Sequence, residues 1–231
     1  MTGGADEVRA CAFDMFGTLF DVHSVVRACR DALGEEGEAF SEDLRRTQLR
    51  YSWLRALMGR WIPFWRITRD ALDVTLRRYG REDDDELRER LLATYREVDP
   101  YPDSGPALEA LNEAGIRCAI LTNGSRDMVS SALSAAGFEE HFEAIFSVDA
   151  IETFKPRPQV YRMATDGLEL EARELAMVSS HPWDLAGAIS CGFRGVWVRR
   201  PGDGHHLEAL DHDPTWEVEG MDGLVRLLAS G

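Results

Sequence analysis

FDMFGTLFD, residues 13–21, is the stretch that decides how this chain is read. It closes a largely apolar run, Val8–Phe13, with the content of a strand buried on both faces. Asp14 follows at once, and Gly17 and Thr18 then turn the chain. An acid where a buried strand meets a glycine turn stands at the edge where open α/β sheets bind ligands. Phosphate chemistry would want a second acid two residues on, and the chain has Phe16 there. Taken alone, Asp14 serves equally well as a turn cap. Its meaning depends on what else reaches the same edge.

Apolar runs recur at Ile116–Leu121, Ile145–Val148, Ala176–Val178 and Val196–Val198. Helical patterns lie among them at Pro106–Ala114, Arg126–Ala136, Pro158–Leu168 and Trp183–Cys191. The alternation predicts an α/β fold, a parallel sheet covered by helices. Asp14, Thr122–Ser125 and Ser179–Asp184 should then converge beyond the strand ends, far apart though they are in sequence. Residues 22–99 break the pattern and read as helices with no clear strand, and Pro100 and Pro102 mark the return. The expected organisation is a core of residues 1–21 and 100–231 with a helical cap of 22–99.

Within that cap, Leu49, Trp53 and Leu57 follow an i, i+4, i+8 spacing and form one apolar face. It reads as cap core, as a contact between subunits, or as the wall of an apolar pocket. The same region is locally basic, with Arg45, Arg46, Arg50 and Arg55. Such arginines mostly form a solvated face, and one turned toward the core could bind an anion.

The bulk numbers are those of an ordinary globule of 231 residues, 44% hydrophobic and 29% charged. No apolar run approaches the roughly 18–20 residues of a membrane span. The opening MTGGADEVRA lacks the basic-then-apolar order of a signal peptide, so a cytoplasmic protein is expected. A formal net charge of −15 argues against nucleic acid as a partner. Cys11, Cys29, Cys118 and Cys191 have no close pair spacing and read as reduced core residues. His205 and His206 lie in a polar loop and read as surface.

Three loops raise the weight of Asp14. LTNGS, residues 121–125, follows a strand and opens a helix, with small polar residues and amides suited to an anion. FKPRPQVY, residues 154–161, sets Lys155 before a proline-led helix that carries Tyr161. VSSHPWD, residues 178–184, contributes Ser179, Ser180, His181 and Asp184 after another strand. Each alone is an ordinary helix start or surface turn.

In this order the four stretches resemble the haloacid dehalogenase superfamily, and the match runs along the whole chain. AFDMFGTLFDVHSVV (12–26), YSWLRALM (51–58), LTNGS, KPRPQVY (155–161) and SSHPWDLAGA (179–188) resemble its (S)-2-haloacid dehalogenase branch. The resemblance implies a Rossmann-like core with an inserted all-helical cap. It also implies hydrolysis of short 2-haloacids to 2-hydroxyacids through an ester on Asp14, with inversion at C2 and dimerisation. Superfamily phosphatases carry a second Asp at the position of Phe16, to protonate an alcohol and help hold magnesium. A halide needs neither, and Asp184 stands without an adjacent acid, so no metal and no cofactor are expected. The branch often has Tyr where this chain has Phe16.

By the same resemblance, Arg45 approaches the substrate and departing halide, and Lys155 orients Asp14. Thr18 supports the oxyanion of ester hydrolysis, while Thr122 and Asn123 cradle the substrate carboxylate. Ser179 and Asp184 position and activate water, Tyr161 lies near the site, and Leu49 and Trp183 wall the alkyl pocket. The branch usually has Asn where this chain has His181. That histidine reads either as a donor to a leaving halide beside Arg45, which would suit fluoroacetate, or as a replacement for Asn in holding the hydrolytic water or the loop. Other readings of the scaffold are an aspartyl-ester hydrolase of azetidine-2-carboxylate type, a magnesium phosphatase, and a non-catalytic binding protein.

Overall fold

A computed structural model describes residues 4–95, 98–200, 210 and 212–229. The loop of His205 and His206 lies outside them. Strand β1 (Ala10–Phe13) is followed by four helices, α1 (His23–Leu33), α2 (Gly37–Met58), α3 (Phe64–Arg78) and α4 (Asp85–Thr94). The chain continues through α5 (Ser104–Glu113), β2 (Arg117–Thr122), α6 (Arg126–Ala136) and β3 (Ala144–Ser147). It then runs through α7 (Pro158–Leu168), β4 (Leu175–Ser179), α8 (Pro182–Ser190) and β5 (Arg194–Arg199). Strand β6 (Trp216–Glu219) and helix α9 (Gly220–Leu228) complete the described chain.

The six strands form one sheet in the order β3-β2-β1-β4-β5-β6, and every neighbouring pair is parallel. The chain reverses its winding between β1 and β4, which are adjacent, so ligand binding belongs outside the carboxyl ends of these two strands. Alternate residues of the strands feed two apolar cores. Cys11, Phe13, Ile120 and Val178 pack with α5, α6 and α9. Ala10, Ala12, Leu121 and Met177 pack with α7 and α8. Burial on both faces is why these strands read as unbroken apolar runs. Both edge strands are less buried: β3 is mostly half-buried though apolar, and β6 breaks the apolar pattern. At the sheet edge its WEVE sequence alternates half-buried apolar residues with exposed glutamates, so no apolar run announced it.

The four inserted helices have their own core, including Phe40, Leu44, Leu72, Leu76 and Leu91. Gly59, at a φ of 62°, ends α2, and the Asp84 side chain caps α4 by accepting the Leu87 N–H at 3.0 Å. The insertion leaves and rejoins the sheet side by side: the Asp21 N–H donates to Asp99 O at 2.8 Å, and the Tyr101 N–H to Leu19 O at 2.9 Å. The predicted stripe divides. Trp53 meets Trp183 edge-on with ring centroids 5.5 Å apart, whereas Leu57 is 74% exposed. The core of the insertion is built from a different face of α2, that of Phe40 and Leu44.

All four cysteines are free, and burial lifts the Cys29 thiol to about 11 and the Cys118 thiol to about 12. Among the described residues no helix is long and apolar enough to cross a membrane.

Close packing of α8 on α7 depends on Gly187. A Cβ there would lie 2.4 Å from the Tyr161 hydroxyl and 2.7 Å from Pro156 Cβ. Gly187→Ala should therefore lower stability by about 1–3 kcal/mol, read as a lower urea midpoint at unchanged slope.

Candidate active site

The site assembles at the switch point. The Asp14 N–H donates to Val178 O at 2.9 Å, so the residue leaving β1 is tied to β4. Gly17 holds a φ of 90°, a conformation open to glycine. Its missing side chain matters too, because a Cβ there would lie 2.9 Å from a His181 ring carbon. The turn and the histidine loop can approach only because position 17 is bare.

At the centre is Lys155, whose side chain is almost fully buried. Its Nζ donates to Asp14 Oδ1 at 3.1 Å and to Asp184 Oδ2 at 2.6 Å. The other Asp184 oxygen accepts the Tyr161 hydroxyl at 2.8 Å. Burial alone would push the Asp14 carboxyl up, but the Lys155 charge and the His181 hydrogen bond outweigh it and hold Asp14 well below the usual carboxylate range. Burial likewise opposes the charge on Lys155, and the two carboxylates outweigh it, so the ammonium is held more firmly than usual. Asp184 moves the other way: burial raises it, and the nearby Asp14 charge offsets part of the pull of Lys155. Tyr161 is raised by burial and by Asp184, so it keeps its proton and donates. Asn123 supports the lysine from behind, its Oδ1 accepting the Lys155 N–H at 2.9 Å.

On the other side of Asp14, Oδ2 lies 3.1 Å from His181 Nδ1 and accepts the Thr18 hydroxyl at 3.4 Å. His181 Nε2 is 3.4 Å from a guanidinium nitrogen of Arg45, which reaches across from α2. Ser179 Oγ accepts the His181 N–H at 3.1 Å, so the Ser179 side chain shapes the loop. Thr122 acts similarly, accepting the Gly124 N–H at 3.0 Å. Phe16 lies over that turn, its ring 2.8 Å from where a Gly124 Cβ would sit. Trp183 leans on His181 with centroids 5.9 Å apart. Leu49, half-buried, lies one helical turn from Arg45 and one from Trp53, on the side of α2 that both residues turn toward the His181–Trp183 loop.

Sequence reading passed over two contributors. Ser180 donates its backbone N–H to Thr18 Oγ1 at 2.9 Å and its hydroxyl to Gly17 O at 2.9 Å. Arg200 donates to Thr18 O through two nitrogens, at 3.0 and 2.6 Å, and pairs with Asp103 at 2.7 Å. Ser180 had been visible within VSSHPWD without a task. Arg200 gave no signal, because an arginine after a strand reads as surface. Among the described residues no three His, Cys, Asp or Glu side chains gather as a metal ion requires.

Comparison with known proteins fits this geometry. A family model described as haloacid dehalogenase-like hydrolase matches residues 8–192. The chain is 42% identical to (S)-2-haloacid dehalogenase 4A of Burkholderia cepacia, over 97% of this chain and 96% of the relative. It is 37% identical to haloacetate dehalogenase H-2 of Moraxella sp. strain B, over 96% and 99%. The L-2-haloacid dehalogenase of Xanthobacter autotrophicus, solved with chloropropionic acid covalently bound, superposes with a TM-score of 0.86 at 35% identity, covering 96% of this chain and 98% of that one. With so long a match to the family model and to full-length relatives, the chain belongs to the haloacid dehalogenase-like hydrolases, in the branch of the (S)-2-haloacid dehalogenases.

Proposed function

We propose that the protein hydrolyses short 2-haloalkanoic acids to 2-hydroxyacids, with inversion at C2, through an ester on Asp14 and without a metal. One observation carries this reading. A carboxylate nucleophile is held ionised by buried Lys155, and Phe16 stands where a leaving-group acid would be needed. Asp14 attacks C2 from behind and halide departs, a displacement that needs no proton. Water then attacks the ester carbonyl of Asp14, releasing the hydroxyacid.

Supporting roles follow from what each side chain can do. Arg45 neutralises the departing halide. The turn of Thr122 and Asn123 receives the substrate carboxylate, and Phe16, Leu49 and Trp183 bound its alkyl part. Lys155 fixes Asp14, with Asp184 and Tyr161 fixing Lys155. Both Asp184 oxygens already accept hydrogen bonds, from Lys155 and Tyr161; this favours an anchoring role over water activation, with Ser179 holding the His181 loop. Residues 22–99 act as a cap over a core of 1–21 and 100–231. The exposed Leu54, Leu57 and Met58 at the end of α2 support a homodimer, and four free cysteines suit the cytoplasm. Fluoroacetate is the limiting substrate of the range, since fluoride leaves well only with a charged donor such as Arg45.

Three outcomes are expected. Wild-type enzyme should release chloride from (S)-2-chloropropionate equally with and without EDTA, giving the (R)-hydroxyacid; a phosphatase or a binding protein would release none. Asp14→Asn, verified as undeamidated, should lose turnover by at least about four orders of magnitude, comparable to loss of a nucleophile elsewhere, and should form no ester detectable by mass. Arg45→Ala should lower halide release far more than Arg55→Ala, whose guanidinium is engaged with Arg60 O. The Arg45 deficit should be larger on fluoroacetate than on chloroacetate, as measured with halide electrodes.

A further inference from the structure

Asp14 is held differently at its two oxygens. Oδ1 accepts from Lys155 Nζ, while Oδ2 is approached by two donors from the other side, Thr18 Oγ1 and His181 Nδ1. The tautomer of His181 follows from its far end. Arg45 carries only donors, so the 3.4 Å contact with Nε2 is a hydrogen bond when Nε2 accepts. The ring proton of neutral His181 then sits on Nδ1 and points at Oδ2. In that tautomer Nε2 carries no proton to offer a halide beside Arg45. That tautomer speaks against the halide-donor reading.

We propose that His181 is an oxyanion donor for the second half of the reaction, its Nδ1–H joining the Thr18 hydroxyl on Asp14 Oδ2. This rests on the dehalogenase reading above. In this proposal Oδ1 forms the bond to C2, and the carbon–halogen pair leaves with the halide. Oδ2 is then the ester carbonyl oxygen. When water adds to Cγ, the carbonyl π pair moves onto Oδ2, the atom the two donors already face. Collapse breaks the bond from Cγ to the substrate oxygen. Of the two protons of the water, one ends on the product hydroxyl and the other in solvent, which restores the Asp14 carboxylate. A donor aimed at developing charge in a water-poor site acts mainly in the transition state. His181 is buried and backed by Trp183, so it needs no reorientation. Arg45 sets which nitrogen carries the proton, which makes the inserted helices part of this donor's preparation.

The two ring nitrogens have separate amide mimics. The side-chain nitrogen of Asn can occupy the place of Nδ1, and that of the longer Gln the place of Nε2. Halide release and mass-detected ester should be followed in rapid-quench reactions of wild type, His181→Ala, His181→Asn and His181→Gln with 2-chloropropionate. Expected for His181→Ala is a burst of about one halide per site, accumulating ester, and steady turnover lower by about 10²–10³-fold. His181→Gln should match it, and His181→Asn should restore hydrolysis to within about tenfold of wild type. A merely structural role would lower burst and hydrolysis together. That result, a slowed burst without ester accumulation, or rescue by Gln in place of Asn would overturn the assignment. No halide or ester from the wild type would overturn the dehalogenase reading itself, and this inference with it.

Discussion

Everything at this site leans on one buried ammonium. Lys155 sits between Asp14 and Asp184 with almost no exposure. An unpaired charge there would be prohibitive, and even a pair recovers its desolvation cost only when the geometry is tight and remaining lone pairs are bonded. Both conditions hold. Tyr161 occupies the second Asp184 oxygen, and Thr18 and His181 face the second Asp14 oxygen. Two carboxylates around one cation leave a surplus negative charge. Asp14, the more exposed of the pair, is the one held well below the usual carboxylate range, while Asp184 is raised. Asp184, in the first turn of α8, also lies at the favourable end of that helix.

The triad also explains why distant segments must fold together. Asp14 leaves β1, Lys155 precedes α7 and Asp184 opens α8. The parallel sheet brings the strand ends together, and the ion pairs fix the loops to within hydrogen-bonding distance. From the other side, α2 contributes Arg45 against His181 and Trp53 against Trp183. A second aromatic pair, Phe64 of α3 with Phe154, lies next to Lys155 in sequence. Contacts from the inserted helices thus fall on the two loops that carry the charged groups.

Much of this was legible in the sequence, and the reasons are physical. Apolar composition made five of the six strands visible, four of them largely buried and the edge strand β3 mostly half-buried, while β6, at the other edge with two exposed glutamates, was not. The rule that ligands gather at strand ends places Asp14, Thr122 and Ser179 at one edge from the sequence alone. The bond between Lys155 and Asp184 was not legible, because spacing along a chain carries no distance between loops. Periodicity placed Leu49, Trp53 and Leu57 on one face, but it could not tell that this face ends in exposed Leu57. Arg200 was hidden for the opposite reason: a long basic side chain reads as solvated until its partners, Thr18 O and Asp103, are seen.

The Arg200 contacts carry a mechanical consequence. Arg200 grips Thr18 O, Asp103 binds both Arg200 and the Met221 N–H, and Ser104 Oγ donates to Leu19 O. The two chain crossings between sheet and insertion are therefore clamped at their base from β5 and α9. The pairing of the Asp21 N–H with Asp99 O lies on the far side of that clamp. Below it, Thr18 and Asp14 belong to the rigid frame. Asp14 and Thr18 are thus fixed to the sheet independently of the inserted helices, whereas the contact between Arg45 and His181 exists only with those helices in place.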